Sequence, residues 1–185
     1  MKDKLGLIEK ISTPLKDCYE LQPIVRGDNR GKFIKTFHCD AFKELGLETN
    51  FLEDFYSISV KNVIRGMHFQ LPPEDHVKLV YCAEGKVMDV ILDLRKSSPT
   101  YKKFHVVYLN GDIGNCVYIP KGFAHGFKVL TEHSAVIYKT TTVFSAKLDS
   151  GILYNSFGFD WECEQPILSE KDKSLPALDK FDSPF

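Results

Sequence analysis

The stretch GNCVYIPKGFAHGF, Gly114 to Phe127, decides the fold. A glycine turn leads into the apolar run CVYI, which reads as a strand. Pro120 ends that strand, because proline has no amide hydrogen to give to a neighbouring strand. Gly122 follows two residues later and permits the positive φ of a tight turn. A second strand then starts at once. Alternation along it sets His125 on the face opposite Ala124 and Gly126. Two apolar strands joined at a Pro-x-Gly corner, the second carrying one histidine, belong to an antiparallel β architecture.

The rest of the chain reads the same way. FIKTFH, VKLVYC, KVMDVILDL, KFHVVYL, GFKVL and SAVIYKTTTVF are short runs rich in β-branched and aromatic residues. Gly, Pro, Asn and Asp separate them at roughly 8–12-residue spacing, the pattern of a sandwich or barrel. In VMDVILDL, Val87, Asp89, Ile91 and Asp93 share one side, and Met88, Val90, Leu92 and Leu94 share the other. Carboxylates among apolar groups predict that the first side lines a wet cavity.

Helix is scarce. CDAFKELGLE, Cys39 to Glu48, predicts one helix capped by Asp40, with Phe42 and Leu45 on one face and Gly46 at its end. Near the C-terminus, LSEKDKSLPALDKF predicts a turn or two of helix capped by Ser169 and interrupted at Pro176. There are no repeats and no composition shift that marks a linker. Residues 1–185 are therefore expected to form a single, mainly β domain.

Hydrophobic residues make up 43% of the 185, enough for a packed core. The net charge of -1 lacks the basic excess of a nucleic-acid binder. No window approaches the roughly 18–20 apolar residues of a membrane span. The N-terminus has no long apolar stretch of a secretory signal. The five cysteines are odd in number and contain no CxxC pair, which fits reduced thiols. Together these features predict a cytoplasmic protein that binds neither nucleic acid nor membrane.

One run poses a chemical question. In NVIRGMHFQLPPEDHVKLVYC, His68 follows an Arg-Gly pair, and Lys78 lies inside an apolar strand. A strand ammonium is costly unless something anionic reaches it. The Gly114–Phe127 stretch resembles the second motif of the cupins, small jelly-roll barrels built as a double-stranded β-helix. Many cupins hold a metal through histidines of a first motif, which would fall near His76. Lys78 stands where a second histidine is needed, and ammonium has no lone pair for a cation. A metal-free site is expected.

The segments GDNRGKF, NVIRGMHFQ, KLVYCAEGKVMDVILDLRKSSPTY, YIPKGFAHGFKVL, AVIYKTT and LSEKD occur in that order. Together, from about Cys18 to Leu178, they resemble the dTDP-4-dehydrorhamnose 3,5-epimerases, cupin-type nucleotide-sugar epimerases. The resemblance implies a nucleoside-diphosphate-linked 4-keto-6-deoxy sugar as substrate, no cofactor, and a homodimer that exchanges strands. A ketone at C4 acidifies the C–H bonds at C3 and C5. Inversion then needs a base on one face, an acid on the other and a cation at the ketone oxygen. By resemblance, His68 is the base, backed by Asp172, Tyr138 is the opposite acid, and Lys78 offsets charge on the C4 oxygen. Arg30, Phe33, Arg65, Gln70, His125, Asp149 and Lys171 match substrate-binding positions. Arg65, three residues before His68, is expected on the other side of its strand or turn.

Three departures cluster on nucleotide recognition. Lys35 stands where the family usually has glutamate. The family's QDN is EDF here, Glu53 to Phe55. A pair of tyrosines becomes Val143 and Phe144. The epimerase chemistry is therefore expected to be kept, while the nucleotide, among dTDP, GDP and CDP, and the sugar both stay open, and Phe55 can stack on any base. A 3,4-ketoisomerase and a non-catalytic sugar-nucleotide binder are the other functions that these residues allow.

Overall fold

The computed structural model describes residues 1–185. It contains thirteen strands: β1 (Ile8–Ser12), β2 (Tyr19–Pro23), β3 (Val25–Asp28), β4 (Gly31–Ile34), β5 (Glu53–Val60), β6 (Ile64–Gln70), β7 (Lys78–Glu84), β8 (Lys86–Asp93), β9 (Phe104–Asn110), β10 (Cys116–Ile119), β11 (Phe123–Val129), β12 (His133–Thr140) and β13 (Asp149–Gly151). Helices α1 (Cys39–Glu44) and α2 (Glu170–Lys173) are short, and a 3-10 turn spans Leu178–Lys180.

Two sheets form the barrel. One has the order β1-β2-β10-β7-β12-β5, the other β13-β6-β11-β8-β9, and β3 and β4 make a separate hairpin. Every pairing within these sheets is antiparallel. The sheets face each other across one apolar cluster. Val80, Val136 and Tyr138 come from the first sheet, Val87, Ile91 and Phe127 from the second. This is the jelly-roll barrel with a few short helices that the strand pattern predicts.

The Pro-Gly corner forms as read. β10 stops at Ile119 and Gly122 takes a φ of 80°. β8 also alternates as read, but all of Val87–Asp93 is buried, because its outer face is covered too. Met88, Val90 and Leu92 pack there with Trp161 and Leu178 of the C-terminal segment. Its two carboxylates correct the expectation of a wet cavity wall. Asp93 is held by Arg95, Ser98 and Thr100, and Asp89 by His125. Both are desolvated: Asp93 is satisfied by protein donors instead of water, while Asp89 is held through Oδ2 alone and its Oδ1 is buried without a partner.

Two local expectations also change. His38, not Asp40, caps α1, with the amide of Ala41 donating to its ring Nδ1. Asp40 lies inside the first turn, where its charge meets the positive end of the helix. The run FIKTFH is strand only to Ile34, and Phe37 instead packs edge-on against Phe42 and Phe51 beneath α1. Ser169 does cap α2, and its hydroxyl accepts from the Asp172 amide.

Candidate active site

Between the sheets lies a cavity of about 430 Å³. β6 supplies His68 and Gln70 from one wall; β7 and β12 supply Lys78, Tyr138 and Thr140 from the other. Arg65, His125, Asp149 and Lys171 also line it. Nine side chains that lie as much as 106 positions apart in sequence thus share one hollow, with Tyr138 opposite His68.

A bulge decides what β6 presents. His125 pairs with His68, but Phe127 pairs with Arg65, so three steps on β6 match two on β11. The extra residue turns Arg65 onto the cavity side, which corrects the expectation that it lies on the opposite face from His68. Gly66 makes the bulge possible. Its φ is 128°, and a Cβ there would sit 2.5 Å from the Cα of Gly126. Arg65 Nε then donates to Ser59 Oγ at 2.9 Å.

His68 is oriented from behind. Its Nε2 lies 2.6 Å from Oδ1 of Asp172, which is 3% exposed on α2. Burial works to raise the pKa of Asp172, but the hydrogen bond and charge of His68, with the Gly66 amide, hold it below its ordinary value. The ionised carboxylate therefore accepts the proton on Nε2. Nδ1 is left as the basic nitrogen.

Lys78 has no carboxylate partner; its Nζ donates to the carbonyl of His68 at 3.0 Å. Burial lowers its pKa to about 8, with Asp149 and Asp89 working to raise it. An ammonium so poorly solvated gains from any anion that enters the cavity. Tyr138 is 9% exposed, and burial pushes its phenol well above its usual range. It stays protonated at neutral pH. Phe55 lies flat against it, with ring centroids 4.8 Å apart and planes 11° from parallel. One face of Phe55 is therefore taken by Tyr138, and only the other is free for a ligand.

His125 is a buried part of the cavity wall, with Nε2 2.7 Å from Asp89 Oδ2. Lys171 pairs with Asp149. Gln70 donates to the carbonyls of Glu74 and Val143 and so ties down the loop after β12. Arg30 and Phe33 do not join these residues. They lie on the exposed β3–β4 hairpin, where Arg30 pairs with Asp28 and Phe33 is 63% exposed.

The sequence reading gave no role to Ser57 or Thr140, and noted His76 only as the place of a cupin metal motif; all three line the cavity. His76 accompanies Lys78 on the lead-in to β7, and burial lowers its pKa to about 3. It is a neutral ring at physiological pH. No three His, Cys, Asp or Glu side chains gather where they could hold a metal ion.

Comparison with known proteins bears on this arrangement. The family model described as dTDP-4-dehydrorhamnose 3,5-epimerase matches residues 12–180. The Salmonella typhimurium dTDP-4-dehydrorhamnose 3,5-epimerase is 41% identical over 174 residues, 92% of this chain and 95% of that protein. The crystal structure of the Bacillus anthracis enzyme of that name, with TDP and PPi bound, superposes with a TM-score of 0.90 at 40% identity. It covers 92% of this chain and 99% of its own. The Legionella pneumophila dTDP-6-deoxy-D-glucose-3,5-epimerase, solved in complex with dTDP-4-keto-L-rhamnose, also gives 0.90, at 35% identity and 95% coverage of both chains. With that agreement spanning nearly the whole barrel and the cavity within it, the chain belongs to the dTDP-4-dehydrorhamnose 3,5-epimerase family.

Proposed function

We propose that this protein inverts C3, C5 or both of a nucleoside-diphosphate-linked 4-keto-6-deoxy sugar by way of an enolate. The observation that carries this reading is the placement of His68 and Tyr138 on opposite walls of one cavity, with Lys78 beside them. His68 Nδ1 takes the proton next to the ketone, and Asp172 stabilises the imidazolium that forms. Lys78 offsets the charge that grows on the C4 oxygen. Tyr138 returns a proton to the opposite face, and the centre inverts. Arg65, His125 and Lys171 supply positive charge or hydrogen-bond donors for the diphosphate and sugar, with Gln70 and Asp149 shaping the sugar end.

The product belongs to deoxysugar biosynthesis for a surface polysaccharide or related glycoconjugate, and the site of action is the cytoplasm. No helix is long and apolar enough to cross a membrane. Residues 1–185 act as one domain. A homodimer is supported by the β3–β4 hairpin, which carries Arg30 and Phe33 outward with no intramolecular covering for Phe33. A second copy would cover that apolar ring.

The test is an NMR assay in heavy water with dTDP-, GDP- and CDP-linked 4-keto sugars. Deuterium is expected at C3, C5 or both, with the carbonyl carbon unmoved. A carbonyl that migrates to C3 would make the protein a ketoisomerase. Binding without exchange on every substrate would make it a non-catalytic sugar-nucleotide binder.

A further inference from the structure

One charged side chain in the cavity makes no polar contact within the chain. Lys171 is paired with Asp149, Arg65 with the Ser59 hydroxyl, and Lys78 with the His68 carbonyl. Glu53 lines the same cavity and makes neither an ion pair nor a side-chain hydrogen bond within the chain. An unpaired carboxylate beside a site for a dianionic diphosphate raises the cost of binding unless it meets hydrogen-bond donors.

Its position says which part of the substrate it meets. On β12, Thr140 pairs with Glu53 on one side and Lys78 on the other, while Tyr138 pairs with Phe55. Lys78 turns its ammonium across the barrel to His68. Glu53 is thus two strands from Lys78, on the edge strand of the sheet and two residues before Phe55. Phe55 is 44% exposed and Phe144, also on the cavity wall, 61%. Bare aromatic faces at the mouth of a nucleotide site suit a base.

We infer that Glu53 is a specificity residue that reads a pair of adjacent hydrogen-bond donors on the nucleoside, and so favours a ribonucleotide- or guanine-linked sugar over a thymidine-linked one. This inference rests on the epimerase reading above. A carboxylate offers two acceptors and no donor. The 2′,3′-diol of ribose matches it with two hydroxyls, and the Watson–Crick edge of guanine matches it with N1–H and the exocyclic amine. A thymidine nucleotide offers neither. Its sugar lacks the 2′-hydroxyl, and its base has one N–H between two carbonyl oxygens, one of which would face a carboxylate oxygen. A site built to pair with donors rejects a ligand that lacks them, because a desolvated acceptor is left unpaired.

The experiment is isothermal calorimetry of the full chain and of Glu53→Gln with GDP, CDP, dGDP, IDP and dTDP. The wild type is expected to bind GDP about tenfold or more tighter than dTDP, the size of one hydrogen bond to a charged group. Glu53→Gln is expected to close most of that gap while leaving dTDP binding unchanged or tighter. If the ribose diol is the source, GDP and CDP bind alike and dGDP loses affinity. If the guanine edge is the source, GDP and dGDP bind alike and IDP and CDP lose affinity.

Three results would overturn the inference: dTDP binding as tightly as GDP and CDP, a preference unaltered in Glu53→Gln, or equal weakening of all five nucleotides, which would place Glu53 on the phosphate or sugar instead. The heavy-water assay keeps the two readings apart. Exchange that is best with a dTDP-linked substrate preserves the epimerase and removes the nucleoside preference; absence of exchange on every substrate removes the epimerase itself.

Discussion

His68 Nε2 on β6 lies 2.6 Å from Asp172 Oδ1 on α2, although 104 positions separate the two residues in sequence. The pair fixes which imidazole nitrogen is basic and stabilises the charge that the ring acquires. Asp172→Asn should keep the geometry but lose the negative charge behind the imidazolium. We expect deuterium exchange to slow by on the order of 10²- to 10⁴-fold, with substrate affinity nearly unchanged. Single-turnover exchange followed by NMR is the check. A rate within twofold of the wild type would remove Asp172 from this role.

Lys78 sets an upper pH limit. Its folded-state pKa is lowered to about 8, chiefly by burial, so the ammonium is present below that pH and lost above it. Stabilisation of the C4 oxygen needs the charged form. The kcat/KM profile, which reports the free enzyme, should therefore fall as pH rises through about 8. In Lys78→Met that descending limb should vanish and the residual rate should be flat. A wild-type profile that stays level to pH 10 would contradict the assignment.

Tyr138 and His68 occupy opposite walls, so their contributions should separate. Tyr138→Phe should leave proton removal within about tenfold of the wild type, while net inversion falls by roughly 10²-fold or more. Washout and inversion are both read from one time course in heavy water. A common small decrease in both would show that Tyr138 is not the opposite-face donor.

Gly66 couples a turn of backbone to the position of the base. A methyl group there would meet the Gly126 Cα at 2.5 Å and the His125 carbonyl oxygen at 2.8 Å. Neither atom can rotate away, so β6 must shift against β11. Displacement of His68 by about 1 Å costs roughly 10²-fold in rate. We expect Gly66→Ala to lose activity on that scale, with circular dichroism still reporting a β protein. Wild-type activity in Gly66→Ala would show that the bulge does not position His68.

Phe42 tests the core away from the chemistry. It is fully buried beneath α1, with its ring 4.9 Å from Phe37 and 6.4 Å from Phe51. Phe42→Ala should lower unfolding free energy by about 3–5 kcal/mol. Urea denaturation should show a lower midpoint with an unchanged slope, and kcat of the folded protein should be unaltered.

What the sequence alone determined is local. Alternation in Val87–Leu94 sorts side chains into two sets, and those sets pack against different clusters as read. Pro120, Gly122 and Ser169 set a corner and a cap through their own backbone chemistry, and each acts where it stands. The order of motifs along the chain was enough to indicate the family. Tertiary structure decided whatever depends on pairing between distant strands. Arg65 reaches the cavity only because β6 carries one more residue than β11 between their shared pairs. Asp89 and Asp93 lie on one side of one strand, yet their partners, His125 and Arg95, come from different elements. Arg30 and Phe33 belong to the matched motif but stay on a hairpin clear of the cavity, since β3 and β4 pair only with each other. Side-chain period is a property of neighbours along the chain; register, bulges and cross-sheet contacts are set by which segments come to lie side by side.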